Sequence, residues 1–238
     1  MPKRFVEERE LVPYFPSSIP REDPWLIVAP HPDDETIGMG GSILKAVCSG
    51  ITVYVTFVTS GDKQGNPDER EEEARKALSI LGVQQKNLFF LRFPDRKLSL
   101  RQPSLRLRLE NLLYTLKPGA LFATSPMEYH PDHRVVAAVS LLIARQKNLP
   151  LFFYEVIRQS EINMLIPLSE EEMEAKKKAL KEYKSQLFAG YLSHMEALNH
   201  TRTITIPSHP YAEGLYDCRQ GLHPCLKWYI EASSPIRP

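Results

Sequence analysis

The chain has 238 residues, of which 42% are hydrophobic and 25% are charged, so it is long enough to bury a substantial core. Its 30 basic and 29 acidic residues leave a net charge of +1, which excludes sequence-independent nucleic-acid binding because that requires a basic surplus. No apolar run approaches the roughly 18 residues of a membrane span, and the N-terminal residues are charged where a signal peptide would be apolar.

The first 24 residues are rich in proline, which fixes φ and removes a backbone donor, so we expect an extended arm over 1–24 that lies on the domain. Short apolar or β-branched runs then predict buried strands at 25–29, 51–58, 88–91, 120–123 and 151–154. Apolar residues at helical spacing predict helices at 38–49, 68–81, 103–116, 132–146 and 169–187. A last strand is expected at 203–206.

Strands alternate with helices from residue 25 to residue 187, and this order is typical of parallel βαβ units with right-handed crossovers. The sequence therefore predicts a three-layer αβα fold, with a Rossmann-like, mostly parallel sheet and helices on both faces. No linker divides the chain, so we expect one domain over 1–238, with a less regular C-terminal part at 190–238.

Two polar clusters follow predicted strands at their carboxyl ends, which is where open α/β sheets bind ligands. Residues 31–35 (His-Pro-Asp-Asp-Glu) follow the first strand, and residues 128–133 (Glu-Tyr-His-Pro-Asp-His) follow the fourth. If these strands are neighbours, the clusters face each other. One such cluster is often only a helix cap, but two of similar composition favour a joint chemical role.

The residue types in these clusters suit a hydrolytic metal site, which usually takes three protein ligands and leaves one position for water. His31 and Asp34 are three residues apart, close enough to face one ion, and His133 can supply a third ligand. Two neutral imidazoles and one carboxylate leave a divalent ion with a charge of about +1, which keeps it Lewis-acidic. We therefore expect one Zn²⁺ per chain.

The remaining polar residues of the clusters are candidates for proton transfer. Asp33 is adjacent to a predicted ligand without being one, so we expect it to act as the general base. His130 can stabilise the oxyanion or protonate the leaving amine, and the pattern leaves open whether His130 or Asp33 is the acid. Asp132 is expected to hold the His130 ring by its other nitrogen and to favour the charged form.

At these residues the sequence resembles the LmbE-like family, also called the PIG-L deacetylases, which are zinc-dependent de-N-acetylases of N-acetylglucosamine-containing substrates. Residues 29–35 match the family's first motif, with Pro30 in place of the usual alanine before the histidine, and residues 130–133 match His-Pro-Asp-His. The resemblance implies metal ligation by His31, Asp34 and His133, with Asp33 as base and His130, oriented by Asp132, as second catalytic group.

Other segments agree with this resemblance and extend it to the substrate. Arg70 lies in an Arg-x-x-Glu helix like the family's, and Asp95 in its Pro-Asp segment, so the resemblance implies that both bind substrate. One position departs from the pattern: some members have a tyrosine two residues before the catalytic histidine, where this chain has Glu128, with Tyr129 beside it.

The predicted function is therefore hydrolysis of the N-acetyl group of an amino-sugar substrate. An amide of another N-acyl or thiol-conjugate substrate is the alternative within the same chemistry, and a non-catalytic nucleotide- or sugar-binding module is the alternative from another class. The glycines at 38–41 favour close helix packing over a phosphate loop, because a dinucleotide fingerprint begins directly after the first strand. The three scattered cysteines form no disulfide framework, which favours a cytoplasmic location.

Overall fold

The computed structural model describes residues 12–63 and 65–233. Its strands are β1 (Trp25–Ala29), β2 (Val53–Thr59), β3 (Leu88–Phe93), β4 (Ala120–Thr124), β5 (Leu151–Tyr154), β6 (Met164–Leu168) and β7 (Tyr211–Asp217). Its α-helices are α1 (Asp34–Cys48), α2 (Pro67–Ile80), α3 (Gln102–Leu116), α4 (Pro131–Lys147), α5 (Glu170–Leu180), α6 (Tyr191–Thr201) and α7 (Pro224–Ser233). None of the helices in this described part combines the length and hydropathy needed to cross a membrane.

The strands form one seven-stranded sheet in the order β3-β2-β1-β4-β5-β7-β6. The pairs from β3 to β5 are parallel, and β7 runs antiparallel to both of its neighbours. β1 and β4 are neighbours. The sheet extends from β1 through β2 to β3 on one side, and from β4 through β5 and β7 to β6 on the other. The predicted mostly parallel sheet is confirmed, with an antiparallel edge that the alternation of elements did not indicate.

Successive side chains of β1 enter two different hydrophobic cores, because strand residues point alternately to opposite faces of a sheet. Trp25, Ile27 and Ala29 pack with side chains of α1, α2, α5 and α6. Leu26 and Val28 pack with side chains of α3, α4 and α7 on the other face. Both faces are therefore covered, which is why these strands are continuously apolar and why the fold has three layers.

The proline-rich arm is only partly described, since residues 1–11 of the predicted segment lie outside the described residues. Over 12–24 the chain forms no helix or strand and is held by long-range hydrogen bonds. The backbone N–H of Ser17 donates to the carbonyl of Leu165 over 2.7 Å, and the Thr205 hydroxyl donates to the carbonyl of Pro13 over 2.6 Å. These hydrogen bonds hold residues 12–24 against the segments that contain Leu165 and Thr205.

The C-terminal part is more regular than predicted, because 190–238 contributes α6, β7 and α7 within its described residues. The predicted strand at 203–206 is wrong: the backbone N–H of Ile206 bonds the carbonyl of Thr203 over 2.8 Å in a turn. The real strand, β7, has Glu213 and Gly214 at its centre, which breaks the apolar pattern. The predicted helix at 169–187 ends as α5 at Leu180 and continues after a break as a 3₁₀ segment, Lys184–Ala189.

A buried ion pair explains how a glutamate occupies the middle of β7. Glu213 and Lys176 are both fully buried, and the Lys176 ammonium donates to Glu213 over 2.6 Å and to Asn199 over 2.8 Å. Glu213 also accepts the backbone N–H groups of Gly41 and Ser42, each over 2.8 Å. A charge in the sheet is thus paired and hydrogen-bonded to α5, α6 and α1, which burial of a charge requires.

The glycines of α1 bring that helix close to its neighbours. A Cβ at Gly38 would lie 2.3 Å from the carbonyl oxygen of Glu155, and one at Gly41 would lie 2.4 Å from the Leu168 side chain. The expectation that this glycine group serves close packing is confirmed, and the space next to it is filled by protein.

Candidate active site and metal centre

The two polar clusters meet at one edge of the sheet because β1 and β4 are parallel neighbours, with Val28 opposite Ala123. Each strand leads through a short turn into a helix that starts within its cluster, α1 at Asp34 and α4 at Pro131. Asp33 and His130 are the N-cap residues of these helices. The sequence therefore brings the N-termini of two helices, with their polar side chains, to a common point.

Three side chains converge there on a small triangle of donor atoms. Nδ1 of His31 lies 3.2 Å from Oδ2 of Asp34 and 3.2 Å from Nε2 of His133. Nε2 of His133 lies 3.1 Å from the same Asp34 oxygen. All three residues are buried. These are the three residues that the motifs predict as metal ligands.

The size of this triangle suits a divalent metal ion with nitrogen and oxygen ligands. Tetrahedral bonds of about 2.0 to 2.1 Å, as zinc forms with imidazole and carboxylate, separate ligand atoms by about 3.3 to 3.4 Å. The observed edges of 3.1 to 3.2 Å are close to that value. The donor set, two imidazoles and one carboxylate, therefore fits such an ion in both chemistry and dimensions.

The charges around the triangle also favour a cation. Six buried carboxylates lie in or next to the clusters: Asp33, Asp34, Glu35, Asp95, Glu128 and Asp132. Arg70 is the buried guanidinium beside them. Burial raises the pKa of the Asp34 carboxyl, but the charge of His133 and the hydrogen bonds from His133 and His31 outweigh burial and hold that pKa well below its usual range. Asp34 is thus kept as a carboxylate.

Asp33 occupies a strained backbone conformation, with φ of 131° and ψ of −31°, which few non-glycine residues adopt. Nη2 of Arg70 donates to Oδ2 of Asp33 over 3.1 Å and to the carbonyl of Pro32 over 2.6 Å. Nη1 of Arg70 donates to the carbonyl of Gly61 over 3.2 Å. Burial raises the pKa of Asp33 to about 8, against the opposing charge of Arg70.

A second carboxylate, that of Glu35, supports the turn that contains Asp33. Oε2 of Glu35 accepts the backbone N–H of Asp33 over 3.3 Å, and Oε1 accepts a short hydrogen bond from the hydroxyl of Tyr183. Burial raises the pKa of Glu35 to about 7. Tyr183 is fully buried and follows α5, so the C-terminal part of the chain reaches the motif that follows β1.

Asp95 and Asp132 approach the back of the His31 ring. Nε2 of His31 lies 3.2 Å from Oδ1 of Asp95 and 3.6 Å from Oδ2 of Asp132. This leaves Nδ1 as the nitrogen that faces the triangle. An imidazole ligand commonly donates its second N–H to a carboxylate in this way, which fixes the tautomer and the ring orientation. Asp95, expected from the family pattern to face the substrate, thus also contacts a predicted ligand.

The structure places the Asp132 carboxylate differently from the expectation that it holds the His130 ring. Its oxygens accept the backbone N–H groups of Arg96 and Leu98, over 2.6 and 3.2 Å, and lie no closer than 4.0 Å to Nδ1 of His130. That Nδ1 instead accepts the backbone N–H of Asp132 over 3.3 Å, as a helix cap. Asp132 therefore anchors the loop that carries Asp95.

His130 is held with its other nitrogen toward the site. Because Nδ1 accepts a backbone N–H, the ring proton of the neutral form is on Nε2, which lies 3.7 Å from Oδ1 of Asp95. Burial, and then the charges of His31 and His133, lower the pKa of His130 to about 4. The site thus favours a neutral ring, not the charged form expected from Asp132.

These residues line a cavity of about 360 Å³. Its wall includes His31, Asp33, Asp34, Arg70, Asp95, His130 and His133, which the motifs predict, and also Ile37, Arg96, Glu128, Tyr129, Pro131, Val156, Ile157 and Tyr191. Val156 and Ile157 follow β5, and Tyr191 begins α6. Sequence reasoning missed these three, because they have no motif and reach the cavity only through the order of strands and the return of the C-terminal part.

Glu128 has a role that the motif comparison did not indicate. It is buried, and its carboxylate accepts the backbone N–H groups of Val156, Ile157 and Arg158 over 2.8 to 3.3 Å. Oε2 also lies 4.0 Å from Nδ1 of His133, a buried nitrogen that has no hydrogen-bond partner within the described residues. Glu128 therefore joins the loop after β5 to the wall of the site.

The match to a known family falls on the part of the chain that contains both polar clusters. The model of the family described as PIG-L, GlcNAc-PI de-N-acetylase, matches residues 26–144, which is half of the chain. The chain is 32% identical over 139 residues to the diacetylchitobiose deacetylase of Thermococcus kodakarensis, an alignment that covers 53% of this chain and 51% of that protein. The chain thus spans about half the length of this curated relative.

Solved structures with the same fold cover more of the chain. A conserved protein of Thermus thermophilus superposes with a TM-score of 0.72 and 28% identity, over 84% of this chain and 96% of that one. The N,N'-diacetylchitobiose deacetylase of Pyrococcus horikoshii superposes with a TM-score of 0.73 over 91% of this chain and 88% of that one. Its 23% identity makes this second likeness one of fold alone. The predicted α/β fold class is confirmed.

Proposed function

The chain belongs to the PIG-L family of GlcNAc-PI de-N-acetylases, and from that premise we propose that it is a metal-dependent hydrolase that removes the N-acetyl group of an N-acetylglucosamine-containing substrate. The observation that carries the proposal is the triangle of His31, Asp34 and His133 donor atoms, with edges of 3.1 to 3.2 Å and Asp33 beside it in the same cavity.

We assign one Zn²⁺ per chain to His31 Nδ1, Asp34 Oδ2 and His133 Nε2. When bound, such an ion supplies Lewis acidity, which acidifies water and polarises an acyl carbonyl. The contacts of Asp95 with His31 and the proximity of Glu128 to His133 support this assignment, because carboxylates behind ligand imidazoles orient the rings and raise their basicity.

Asp33 is the general base in this proposal. It lines the cavity, and the hydrogen bond from Arg70 fixes its orientation. It takes a proton as water attacks the acyl carbon, and the C–N bond then breaks with that proton passing to the leaving nitrogen. The products are acetate and the free amine. The strained backbone at Asp33 supports this role, since such strain is concentrated at functional sites.

His130 is the group that stabilises the oxyanion. Its Nδ1 is occupied by the N–H of Asp132, so its Nε2–H is available to donate to the carbonyl oxygen as negative charge develops there. Asp132 is in this proposal a positioning residue, which holds the loop at 95–98 through backbone hydrogen bonds. Because His130 donates to the oxyanion and Asp132 holds the loop, Asp33 is the group that protonates the leaving amine in this proposal.

Arg70 and Asp95 line the cavity and are proposed to contact the hydroxyl groups of the sugar. The terminal nitrogens of Arg70 already bond Gly61, Pro32 and Asp33, so Arg70 also positions the proposed base. The alternative of a nucleotide-binding module has less support, because the glycines of α1 pack against Glu155 and Leu168 and leave no room for a phosphate.

The test is an amine-release assay over a panel of N-acetylated sugars, run on protein stripped with a chelator and then reloaded with Zn²⁺. We expect zinc-dependent release of acetate from at least one N-acetylglucosamine derivative, loss of activity and of bound zinc in His133→Ala, and neither loss in the matched control His209→Ala. A protein that retains no zinc and binds nucleotide instead would contradict the proposal.

A further inference from the structure

Two neighbouring residues at the mouth of the cavity point in opposite directions. Glu128 is 2% exposed and is hydrogen-bonded to the backbone of 156–158, whereas Tyr129 lines the cavity yet is 68% exposed. A large aromatic side chain that is exposed at the rim of a polar cavity offers its ring face to a ligand. Glu128 is thus held in the wall of the cavity, while the ring of Tyr129, the next residue, is exposed at the rim.

The Tyr129 ring is supported by a fixed cation. Cζ of Arg158 lies 5.4 Å from the Tyr129 ring centroid and 5.1 Å from that of Tyr229. Nη1 of Arg158 donates to the carbonyl of Met127 over 3.2 Å and to the Tyr229 hydroxyl over 2.7 Å. The Arg158 guanidinium is thus fixed near both rings. Because Arg158 also restricts the Tyr129 ring, that ring loses little conformational freedom when a ligand binds.

The aromatic contacts continue onto α7. The Trp228 and Tyr229 rings have centroids 4.9 Å apart at an interplanar angle of 88°, and Trp228 is 62% exposed. Tyr129, Arg158, Tyr229 and Trp228 therefore form an aromatic row that begins at the mouth of the cavity and ends on the outer surface of the C-terminal helix. Both ends of the row are open to solvent.

The chemistry of the aromatic row favours a saccharide as its occupant. A pyranose ring has apolar C–H faces and a rim of hydroxyls, and it can stack on an aromatic ring while bonding to adjacent polar groups. The row places three aromatic rings beside one guanidinium and two phenolic hydroxyls. A lipid tail would instead require a continuous apolar surface.

We propose that the aromatic row binds the glycan portion of the substrate, that is, the sugar units joined to the acetylated amino sugar in the cavity. This inference rests on the proposed function, and it assigns the substrate class as an oligosaccharide or glycan conjugate, not a free monosaccharide. Tyr129 contacts the unit nearest the cavity, and Trp228 contacts units farther out.

Binding can be measured without turnover in the zinc-loaded Asp33→Asn variant, by calorimetry and tryptophan fluorescence. Trp25, the other tryptophan of the chain, is fully buried, so ligand-induced changes report on Trp228. We expect the tetrasaccharide of N-acetylglucosamine to bind about tenfold more tightly than the monosaccharide. Adding Tyr129→Ala should abolish that gain, while adding Tyr114→Ala, a change to an exposed tyrosine on α3, should leave the gain intact.

Three results would overturn the inference: equal affinity for the two sugars, a length-dependent gain that survives Tyr129→Ala, or a preference for an alkyl glycoside over the tetrasaccharide. Failure of the proposed function would look different. In that case wild-type protein would release no acetate from any sugar, whatever the length dependence of binding in the Asp33→Asn variant.

Discussion

Two of the buried charged clusters in the described part of the chain are built on opposite principles. The lysine cluster (Lys176, Asn199 and Glu213) pairs one ammonium with one carboxylate, both fully buried and hydrogen-bonded to their surroundings. The acidic cluster (His31, Asp34 and His133 with the carboxylates around them) has more acids than permanent cations and opens to a cavity. Nδ1 of His133 is buried and has no hydrogen-bond partner in the described part of the chain.

The contrast shows how burial of charge can serve stability or function. A buried pair whose partners are all present needs nothing further, and its loss is felt in folding. A buried cluster with surplus charge and unpaired hydrogen-bonding atoms lowers the stability of the fold, and a bound ligand can offset that loss. The acidic cluster is therefore where we expect metal and substrate, and the lysine cluster is where we expect neither.

The largest expected effect separates catalysis from folding in the acidic cluster. Asp33→Asn removes the proposed base, and turnover should fall by about 10² to 10⁴, or roughly 3 to 5 kcal/mol of transition-state stabilisation. Bound zinc, measured by elemental analysis, should remain stoichiometric. Loss of the metal in this variant would move Asp33 into the ligand set.

The reciprocal change in the lysine cluster should affect folding alone. Lys176→Met leaves Glu213 buried without its ion-pair partner, and the free energy of unfolding should fall by about 3 to 5 kcal/mol in urea denaturation. The activity per folded molecule should stay within about twofold of wild type. The neighbouring Lys177→Met, which breaks a more exposed pair with Glu196, is the matched control and should cost about 1 kcal/mol or less. Equal losses in the two variants would contradict the comparison.

Metal should stabilise the protein through the acidic cluster only. With zinc at about 100 times its dissociation constant, the free energy of unfolding should rise by about 2.7 kcal/mol over the chelated protein. The same increment is expected in Lys176→Met, and none in His133→Ala. An increment that persists in His133→Ala would place the stabilising metal elsewhere.

The smallest effect is expected where the C-terminal part supports the site. Tyr183→Phe removes the hydroxyl that bonds Glu35, and we expect kcat to fall by about tenfold, with KM and zinc content unchanged. Steady-state kinetics at saturating zinc measure the split. A change in KM alone would mean that Tyr183 acts on substrate binding and not on the position of Asp33.

Local pattern was enough to identify the chemical groups of the acidic cluster. Polar residues directly after β1 and β4 must lie at the carboxyl edge of a parallel sheet, so His31, Asp34 and His133 could be predicted to meet on the condition that these two strands are neighbours, as they are. The contacts of Asp132 could not be predicted in the same way, because its carboxylate bonds backbone groups more than thirty residues away.

The sequence by itself determined the three-layer parallel fold, through apolar runs and helical spacing, and the residues of the candidate site, through motifs at strand ends. Only the tertiary structure decided the antiparallel edge at β7, the inward turn of Glu128, and the return of Tyr183 and Tyr191 to the site. The physical reason is the separation along the chain over which each kind of interaction acts. Periodicity and capping act between neighbours in the chain, whereas a buried Glu213 or an exposed Tyr129 makes sense only beside Lys176 or Arg158, which folding brings from elsewhere.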